Sequence, residues 1–244
     1  MENTTKNRKI AVMNHNFLHI SEKFFSIQGE GKTIGAPSIF IRLSGCNLLC
    51  KSDSWTCDSI DVWKKGTRTE FKDILSTEDI IGLKNGIHLI FTGGEPLLHQ
   101  KNIASFLSFL NTEYNLRPFV EVETNGTILP IKDLIFDVNV WNVSPKLSNS
   151  GESKEKRFNR AAIFRLNKLN TIFKFVIDKR EDVEEIFSDF GNIIAHNKVY
   201  LMPAADNQED LSKKRIEVIE FCKQYILNFT DRLHITTWNK KTGV

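Results

Sequence analysis

Hydrophobic and polar positions follow two alternating periods along this chain from about residue 37 to the C-terminus. Short apolar runs, of the kind that form buried strands, are separated by segments whose apolar residues recur at helical spacing. This order predicts an α/β fold in which parallel strands are joined by crossover helices. The six predicted strands cover residues 37–43, 88–92, 119–123, 138–143, 171–177 and 198–201.

The segments between these strands carry helix signals. Ser76 or Thr77 is a suitable N-cap for a short helix that ends near Asn85-Gly86. Further helices are predicted at about 103–112, 181–190 and 210–227, and another follows the polar loop at 145–155 and ends at 169. A last extended segment is predicted at 233–238. The chain has no internal repeat or low-complexity linker, so we expect one domain over residues 16–244, preceded by a flexible arm over residues 1–15.

Composition narrows the class of protein. The 244 residues carry a net charge of +3, with Lys and Arg interspersed among Asp and Glu, which does not favour nucleic acid as a partner. No apolar run approaches the roughly 20 residues that span a bilayer, and the N-terminal stretch is polar rather than signal-like. We therefore expect a cytoplasmic enzyme without membrane contact.

A cluster of cysteines carries the strongest chemical signal. Cys46, Cys50 and Cys57 share one loop after a predicted strand, whereas Cys222 lies among apolar residues of a predicted helix, where core packing is expected. Three thiolates can hold three irons of a four-iron, four-sulfur cluster and leave the fourth iron open to a substrate. The alternative is a zinc site completed by a histidine or by a carboxylate, either Asp53 or Asp58.

Three more motifs follow predicted strands. The run Thr92-Gly93-Gly94-Glu95 precedes a helix, so its glycines would let a ligand approach the backbone, and its carboxylate could accept a hydrogen bond from an ammonium group. The other two motifs occupy residues 121–126, with Glu121 and Glu123 on one strand face, and residues 144–146. Each is also compatible with a plain turn. Ligand sites of parallel sheets lie at these strand ends, which favours a shared site.

In this order, the cysteine loop and the strand-end motifs resemble the radical S-adenosylmethionine enzymes. The resemblance implies a partial (β/α)6 barrel with outer helices, and a 4Fe-4S cluster on Cys46, Cys50 and Cys57. It also implies that S-adenosylmethionine binds at the open iron and is cleaved reductively to a 5′-deoxyadenosyl radical. The implied S-adenosylmethionine-binding positions are Thr92, Gly93, Gly94, Glu95, Glu123, Asn125, Ser144 and Lys146.

Within that superfamily, the chain is similar to the 7-carboxy-7-deazaguanine synthases of the queuosine precursor pathway. The similarity rests on Phe-Ser-Ile-Gln-Gly-Glu-Gly at 25–31, Phe-Ile-Arg-Leu-Ser-Gly-Cys-Asn-Leu at 40–48, Cys-Asp-Ser at 57–59, Glu-Thr-Asn-Gly at 123–126, Ser-Pro-Lys at 144–146 and Arg-Leu-His at 232–234. The first run is the most specific, because other members of the superfamily generally lack it.

This similarity implies a carbon–nitrogen lyase that converts 6-carboxy-5,6,7,8-tetrahydropterin to 7-carboxy-7-deazaguanine with loss of ammonia. Gln28, Glu30, Arg42 and His234 match substrate-contacting positions, and an arginine fork suits the substrate carboxylate. The Ser59 hydroxyl matches a Mg²⁺ ligand. A homodimer and an electron donor such as a flavodoxin are further implications.

The chain departs from the family pattern in the cysteine loop. The usual pattern has two residues between the second and third cysteines, whereas six separate Cys50 from Cys57 here, and Asp53 stands where the third cysteine would fall. Because residues 55–59 retain the family surroundings of the third cysteine, we interpret the difference as an insertion rather than an aspartate ligand. Ser59 replaces a threonine, and Val244 ends the chain where some members end in proline.

Two other functions remain open on the sequence alone. A glycyl-radical-enzyme activase would share the cluster and S-adenosylmethionine but would act on a protein partner, and it would lack the run at 28–31. A non-catalytic, zinc-stabilised binding protein with decayed catalytic parts would account for the unusual cysteine spacing.

Overall fold

The structure, a computed structural model, describes residues 16–52, 56–57, 59–241 and 243. Its strands are β1 (Phe17–Ile27), β2 (Pro37–Leu43), β3 (Thr67–Glu70), β4 (His88–Gly93), β5 (Phe119–Thr124), β6 (Val140–Val143), β7 (Thr171–Ile177), β8 (Val199–Pro203) and β9 (Asn228–Phe229). Its α-helices are α1 (Ile60–Trp63), α2 (Thr77–Lys84), α3 (Gln100–Tyr114), α4 (Lys132–Asp137), α5 (Lys154–Arg157), α6 (Arg160–Asn167), α7 (Arg180–Phe190), α8 (Gln208–Tyr225) and α9 (Leu233–Trp238).

The described strands form one nine-stranded sheet in the order β3-β1-β2-β4-β5-β6-β7-β8-β9. β1 runs antiparallel to both β2 and β3, whereas each pair from β2 to β9 is parallel. Because the parallel strands follow one another in chain order, right-handed crossovers place their helices on the same face. The predicted α/β class with a parallel sheet is therefore confirmed. The described sheet is open, with β3 and β9 as its outer strands.

The two faces of the parallel strands differ in polarity because side chains alternate along a strand. One face is apolar and is buried against the helices in a single large core that includes Ile41, Phe91, Val122, Phe173 and Leu201. The opposite face carries Arg42, Thr92, Glu121, Glu123, Asn142 and Lys174, which are buried or half-buried. The helices thus cover the apolar face, and the polar side chains lie on the other side of the sheet.

The six strands predicted from the apolar runs are confirmed as β2 and β4 to β8. The helix start at Ser76 is also confirmed: its hydroxyl accepts from the backbone N–H of Asp79 (3.2 Å), and the Asp79 carboxylate accepts from Ser76 N–H (2.8 Å). This reciprocal pair satisfies two donors at the helix N-terminus. Cys222 lies in the core, as expected from its apolar neighbours.

The predicted extended segment at 233–238 is wrong, because these residues form the helix α9. Its partly alternating sequence favours a strand by local pattern, but tertiary packing can override such a preference, and the one buried residue of α9, Ile235, packs with Ala205 and Leu211 in a small separate cluster. The antiparallel strands β1 and β3 carry no long apolar run and were not predicted.

The expected flexible arm at 1–15 lies outside the described residues. In the part of the chain that the structure describes, no helix is both long and apolar enough to cross a membrane.

Candidate active site

A cavity of about 720 Å³ lies at the carboxyl ends of the parallel strands and against their polar face. Ligand sites of parallel sheets lie at this edge, because the loops after the strands converge there. The cavity is bordered by Cys46, Cys50, Cys57, Ser59, Gln28, Glu30, Arg42, His234, Thr92, Gly93, Gly94, Glu123, Asn125, Ser144 and Lys146. Of the residues predicted for the site, Glu95 alone does not border the cavity.

The cysteine loop follows β2 and turns its three thiols towards the cavity. Cys50 is buried, Cys46 and Cys57 are half-buried, and none of them forms a disulfide. The backbone N–H of Cys57 donates to Cys50 O (3.0 Å), and Lys51 pairs with Thr56 in an antiparallel bridge. The described residues on either side of the longer segment are therefore paired, which places Cys57 beside Cys50.

The chemistry of the three free thiols determines which metal group they could hold. Burial raises the pKa of the Cys46 thiol to about 11 and also raises that of Cys50. A zinc ion needs its ligands to converge on one point, whereas a four-iron cluster binds each thiolate at a different iron. The free thiols thus fit the donor set of a cluster.

The loop after β6 supports the cysteine loop from outside. Lys51 N–H donates to Ser150 O (3.0 Å), and the Ser52 hydroxyl donates to Asn149 O (2.6 Å). At Gly151, where φ is +78°, a Cβ atom would stand 2.3 Å from Lys51 O. Glycine is required at this position because the backbone is left-handed and because a side chain would overlap Lys51 O. Sequence reasoning missed this support, because a polar loop carries no signal for what it packs against.

The glycine pair of the strand-end motif also has a packing role, in addition to the ligand contact predicted for it. A Cβ on Gly93 would stand 2.2 Å from Leu43 O, and one on Gly94 would stand 1.9 Å from Gly45 O. Gly94 N–H donates to Leu43 O (3.1 Å), and Glu95 N–H donates to Gly45 O (2.9 Å). The missing side chains therefore let the start of the cysteine loop lie directly on the end of β4. Both glycines also border the cavity, so a ligand contact stays a prediction.

Glu95 joins the ends of two strands. Its carboxylate is fully buried and accepts hydrogen bonds from Leu97 N–H (2.9 Å), Thr124 Oγ1 (2.7 Å) and Asn125 N–H (2.7 Å). Burial raises the pKa of Glu95 despite these three donors. The predicted ligand contact of this carboxylate remains untested, but its three protein partners assign it a structural role between β4 and β5.

A network of charges lies on the polar face below the strand ends. Glu123 accepts hydrogen bonds from Gln28 Nε2 (3.1 Å) and Thr92 Oγ1 (2.8 Å), and its Oε1 lies 3.9 Å from Lys174 Nζ. Lys174, which is 5% exposed, also pairs with Glu30. Burial lowers the pKa of Lys174, but Glu30 and Glu123 outweigh it and hold this pKa above its usual value. The Lys174 ammonium thus connects Glu30, which is predicted to bind the substrate, to Glu123, which is predicted to bind S-adenosylmethionine.

Glu30 is contacted by two cationic side chains and by an imidazole, from β7 and the C-terminal region. Besides Lys174, Arg232 donates from Nε to Glu30 Oε1 (3.2 Å), and His234 Nε2 lies 3.9 Å from the same oxygen. Burial favours the protonated form, but Lys174, Arg232 and His234 together hold the pKa of Glu30 well below its usual range. Glu30 is therefore an ionised hydrogen-bond acceptor at neutral pH.

The α9 helix enters the site through a close backbone contact. Leu233 N–H donates to Gly29 O (2.9 Å), and a Cβ on Gly29 would stand 2.7 Å from His234 Nδ1. The loop after β1 and the start of α9 can approach this closely only because residue 29 is glycine. This contact places His234 beside Glu30 at the cavity.

The other predicted positions make polar contacts at the same edge. The Asn125 amide donates to Asn47 Oδ1 (3.0 Å), and Asn47 donates to Thr127 Oγ1 (2.8 Å), which connects the cysteine loop to β5. Lys146 Nζ donates to Ser144 Oγ (3.1 Å), and Ser59 Oγ lies 3.5 Å from Cys57 Sγ. Ser59 thus places its hydroxyl next to the third thiol.

A buried carboxylate at Glu121 had no predicted role. It accepts hydrogen bonds from Thr33 Oγ1 (2.7 Å) and Asn142 Nδ2 (2.8 Å), and it pairs with His88 Nδ1 (2.7 Å). Thr33 ends the short 3₁₀ helix Gly31–Thr33 that follows the Gln28 to Glu30 segment. Glu121 therefore fixes this segment to the sheet. The two-residue spacing from Glu123 is the sequence signal that places Glu121 on the same polar face.

Comparisons with known proteins agree with this arrangement. A family described as "4Fe-4S single cluster domain" matches residues 27–167. The chain is 34% identical to the 7-carboxy-7-deazaguanine synthase of Halobacterium salinarum over 91% of both chains. It is 31% identical to that of Pyrobaculum aerophilum, over 93% of this chain and 97% of the relative. It is 33% identical to that of Clostridium acetobutylicum, over 92% and 98%.

The fold is similar to a solved structure described as the crystal structure of QueE from Escherichia coli. The TM-score is 0.64 at 24% sequence identity, over 89% of this chain and 95% of that one. This likeness supports the fold, and the curated relatives support the family over nearly the whole chain. The chain belongs to the 7-carboxy-7-deazaguanine synthase family.

Proposed function

We propose that this protein converts 6-carboxy-5,6,7,8-tetrahydropterin to 7-carboxy-7-deazaguanine with loss of ammonia, as a radical S-adenosylmethionine lyase. The observation that carries the proposal is the cavity of about 720 Å³, which three free thiols border at one end and the Glu30, Lys174 and Glu123 network borders beside them. Thiol donors for a one-electron centre and hydrogen-bonding groups suited to a polar heterocycle thus border the same pocket. No observation favours the activase or the zinc protein.

Cys46, Cys50 and Cys57 would hold the 4Fe-4S cluster, and the edge formed by Thr92, Asn125 and residues 144–146 would hold S-adenosylmethionine. When bound, these groups supply the radical that abstracts a hydrogen atom from the substrate. The strands and α9 border this cavity, and a site that excluded water would protect a reactive intermediate from side reactions.

Glu30, Gln28 and His234 would bind the pterin ring. The ionised Glu30 carboxylate accepts hydrogen bonds, so it suits the N–H groups of a pyrimidine edge. The Arg42 guanidinium would receive the carboxylate of the substrate through a bidentate pair. Because these groups project from different elements, they fix the orientation of the bound ring, which a single contact could not do.

Finer features of the proposal rest on the family resemblance. Mg²⁺ would bind the Ser59 hydroxyl together with substrate oxygens, a coordination that suits this ion. A homodimer, an electron donor such as a flavodoxin and a cytoplasmic location complete the proposal.

The test is product analysis with anaerobically reconstituted protein. The substrate, S-adenosylmethionine, Mg²⁺ and dithionite are supplied, and the product is identified by mass spectrometry. We expect 7-carboxy-7-deazaguanine and ammonia in equal amounts, without stoichiometric consumption of S-adenosylmethionine. Protein that holds an intact cluster and cleaves S-adenosylmethionine but leaves the pterin unchanged would contradict the proposal.

A further inference from the structure

Glu22 borders the cavity, although no sequence motif includes it. It lies on β1 directly opposite Arg42 on β2. Its Oε1 accepts a hydrogen bond from Arg42 Nε at 2.7 Å, and the two side chains are 25% and 19% exposed. A carboxylate thus stands beside the arginine that is proposed to bind the acidic group of the substrate.

An irregularity in β1 turns Glu22 towards the cavity. The register of β1 against β2 shifts between Ile20, which pairs with Leu43, and Glu22, which pairs with Arg42. Leu43 belongs to the apolar core, whereas Arg42 borders the cavity. In a regular strand, residues 20 and 22 would point to the same face, so Glu22 would enter the core. The shift instead places it on the polar face.

Ser21 is the extra residue at this irregularity. Its hydroxyl donates to Lys65 O (2.5 Å) in the segment after α1, which fastens the displaced backbone. β-bulges of this kind often redirect a side chain beside an active site. The orientation of Glu22 is therefore built into the backbone of β1 and does not depend on a choice of rotamer.

The bond to Glu22 engages only one edge of the Arg42 guanidinium. Within the part of the chain that the structure describes, no hydrogen bond or ion pair engages either terminal nitrogen of Arg42. A guanidinium held through Nε has a fixed plane, and its two terminal N–H groups remain able to meet a carboxylate side by side. Glu22 thus leaves available the edge that a bidentate pair requires.

We propose that Glu22 is a positioning residue that holds the Arg42 guanidinium so that its terminal nitrogens meet the carboxylate of the substrate. The inference rests on the proposed function, because it assumes that Arg42 receives that carboxylate. The inference adds that Glu22 and Arg42 together select pterins that carry the carboxylate. Without Glu22, the long arginine side chain is free to take other rotamers, and ordering it on binding costs affinity.

The experiment compares Glu22→Ala, Glu22→Gln and the control Lys23→Ala in reconstituted holoenzyme. Lys23 is the next residue of β1 and pairs with Asp79 away from the cavity. We expect Glu22→Ala to raise the KM for the carboxypterin about tenfold, with kcat, iron content and uncoupled S-adenosylmethionine cleavage nearly unchanged. Glu22→Gln keeps an oxygen acceptor for Nε and recovers most of the affinity. Lys23→Ala behaves as the unmodified protein.

Two further readouts separate positioning from a general structural role. Binding of 5,6,7,8-tetrahydropterin, which lacks the carboxylate, stays the same in Glu22→Ala, and a crystal structure of that variant shows Arg42 displaced. An unchanged or lower KM for the carboxypterin, equal weakening of both pterins, or an unmoved Arg42 would overturn the inference. If the unmodified protein does not turn over the carboxypterin, the proposed function fails, and the position of Arg42 in the variant still decides the inference.

Discussion

Replacement of Gly94 by alanine tests whether the end of β4 holds the cysteine loop in place. The new Cβ would stand 1.9 Å from Gly45 O, 2.5 Å from Gly45 C and 3.0 Å from the Cβ of Cys46. Two of these three atoms belong to backbone, so no side-chain rotation can relieve the overlap. The cysteine loop must move away from β4, and Cys46 moves with it.

The cost of Gly94→Ala has two parts. Forcing an extra carbon into a packed contact costs about 1–3 kcal/mol. The movement also strains the bonds from Gly94 N–H to Leu43 O (3.1 Å) and from Glu95 N–H to Gly45 O (2.9 Å). Each of these is worth about 0.5–1.5 kcal/mol net. We therefore expect the free energy of unfolding to fall by about 2–6 kcal/mol.

Urea unfolding of the reduced apoprotein measures this change, and iron and sulfide analysis after reconstitution measures cluster binding. Gly82→Ala is the matched control, because Gly82 lies inside α2 and its new Cβ would meet only the flexible end of Ile87 (2.6 Å). Alanine is also favoured over glycine inside a helix by about 1 kcal/mol. A Gly94→Ala protein with unchanged unfolding free energy and about four irons per chain would refute the packing argument.

Three further predictions concern the thiols and the buried charges. Cys57→Ala should abolish cluster formation while Asp53→Ala leaves iron content intact, and the reverse result would show that Asp53 is the third ligand. Lys174→Met should lower the unfolding free energy by about 3–5 kcal/mol, because it leaves carboxylates of the network buried without their ammonium partner, whereas Lys174→Arg retains most of that stability in the same urea experiment. Glu30→Gln should destabilise the protein at pH 7. The pKa of Glu30 is lower in the folded chain than its unfolded value of 4.5, so its contribution is complete above that pH and decreases as the pH falls further. The difference in unfolding free energy between Glu30→Gln and the unmodified protein should therefore narrow below about pH 4.5. A difference that stays constant down to pH 3 would contradict the assignment of Glu30 as a stabilising, ionised carboxylate.

The alternation of apolar runs and helical patterns determined the parallel part of the fold. Each of the six predicted strands is buried by helices on one face, so its apolar residues leave a strong local signal. Strand β3 lies at one edge of the sheet with β1 beside it, and both sequences mix polar with apolar residues, so they leave a weaker local signal. For α9, the local pattern favoured a strand, and packing of Ile235 against Ala205 and Leu211 decided for a helix.

The candidate site divides in a similar way. The sequence by itself determined which residue types the site contains, because a three-cysteine loop and the strand-end motifs are local in the chain and must meet at one edge of a parallel sheet. Only the tertiary structure decided that Gly93 and Gly94 carry the cysteine loop, that Lys174 joins Glu30 to Glu123, and that Glu22 faces Arg42. Those contacts join residues far apart in the chain. They depend on backbone spacing and strand register, and neither quantity can be read from the order of the amino acids.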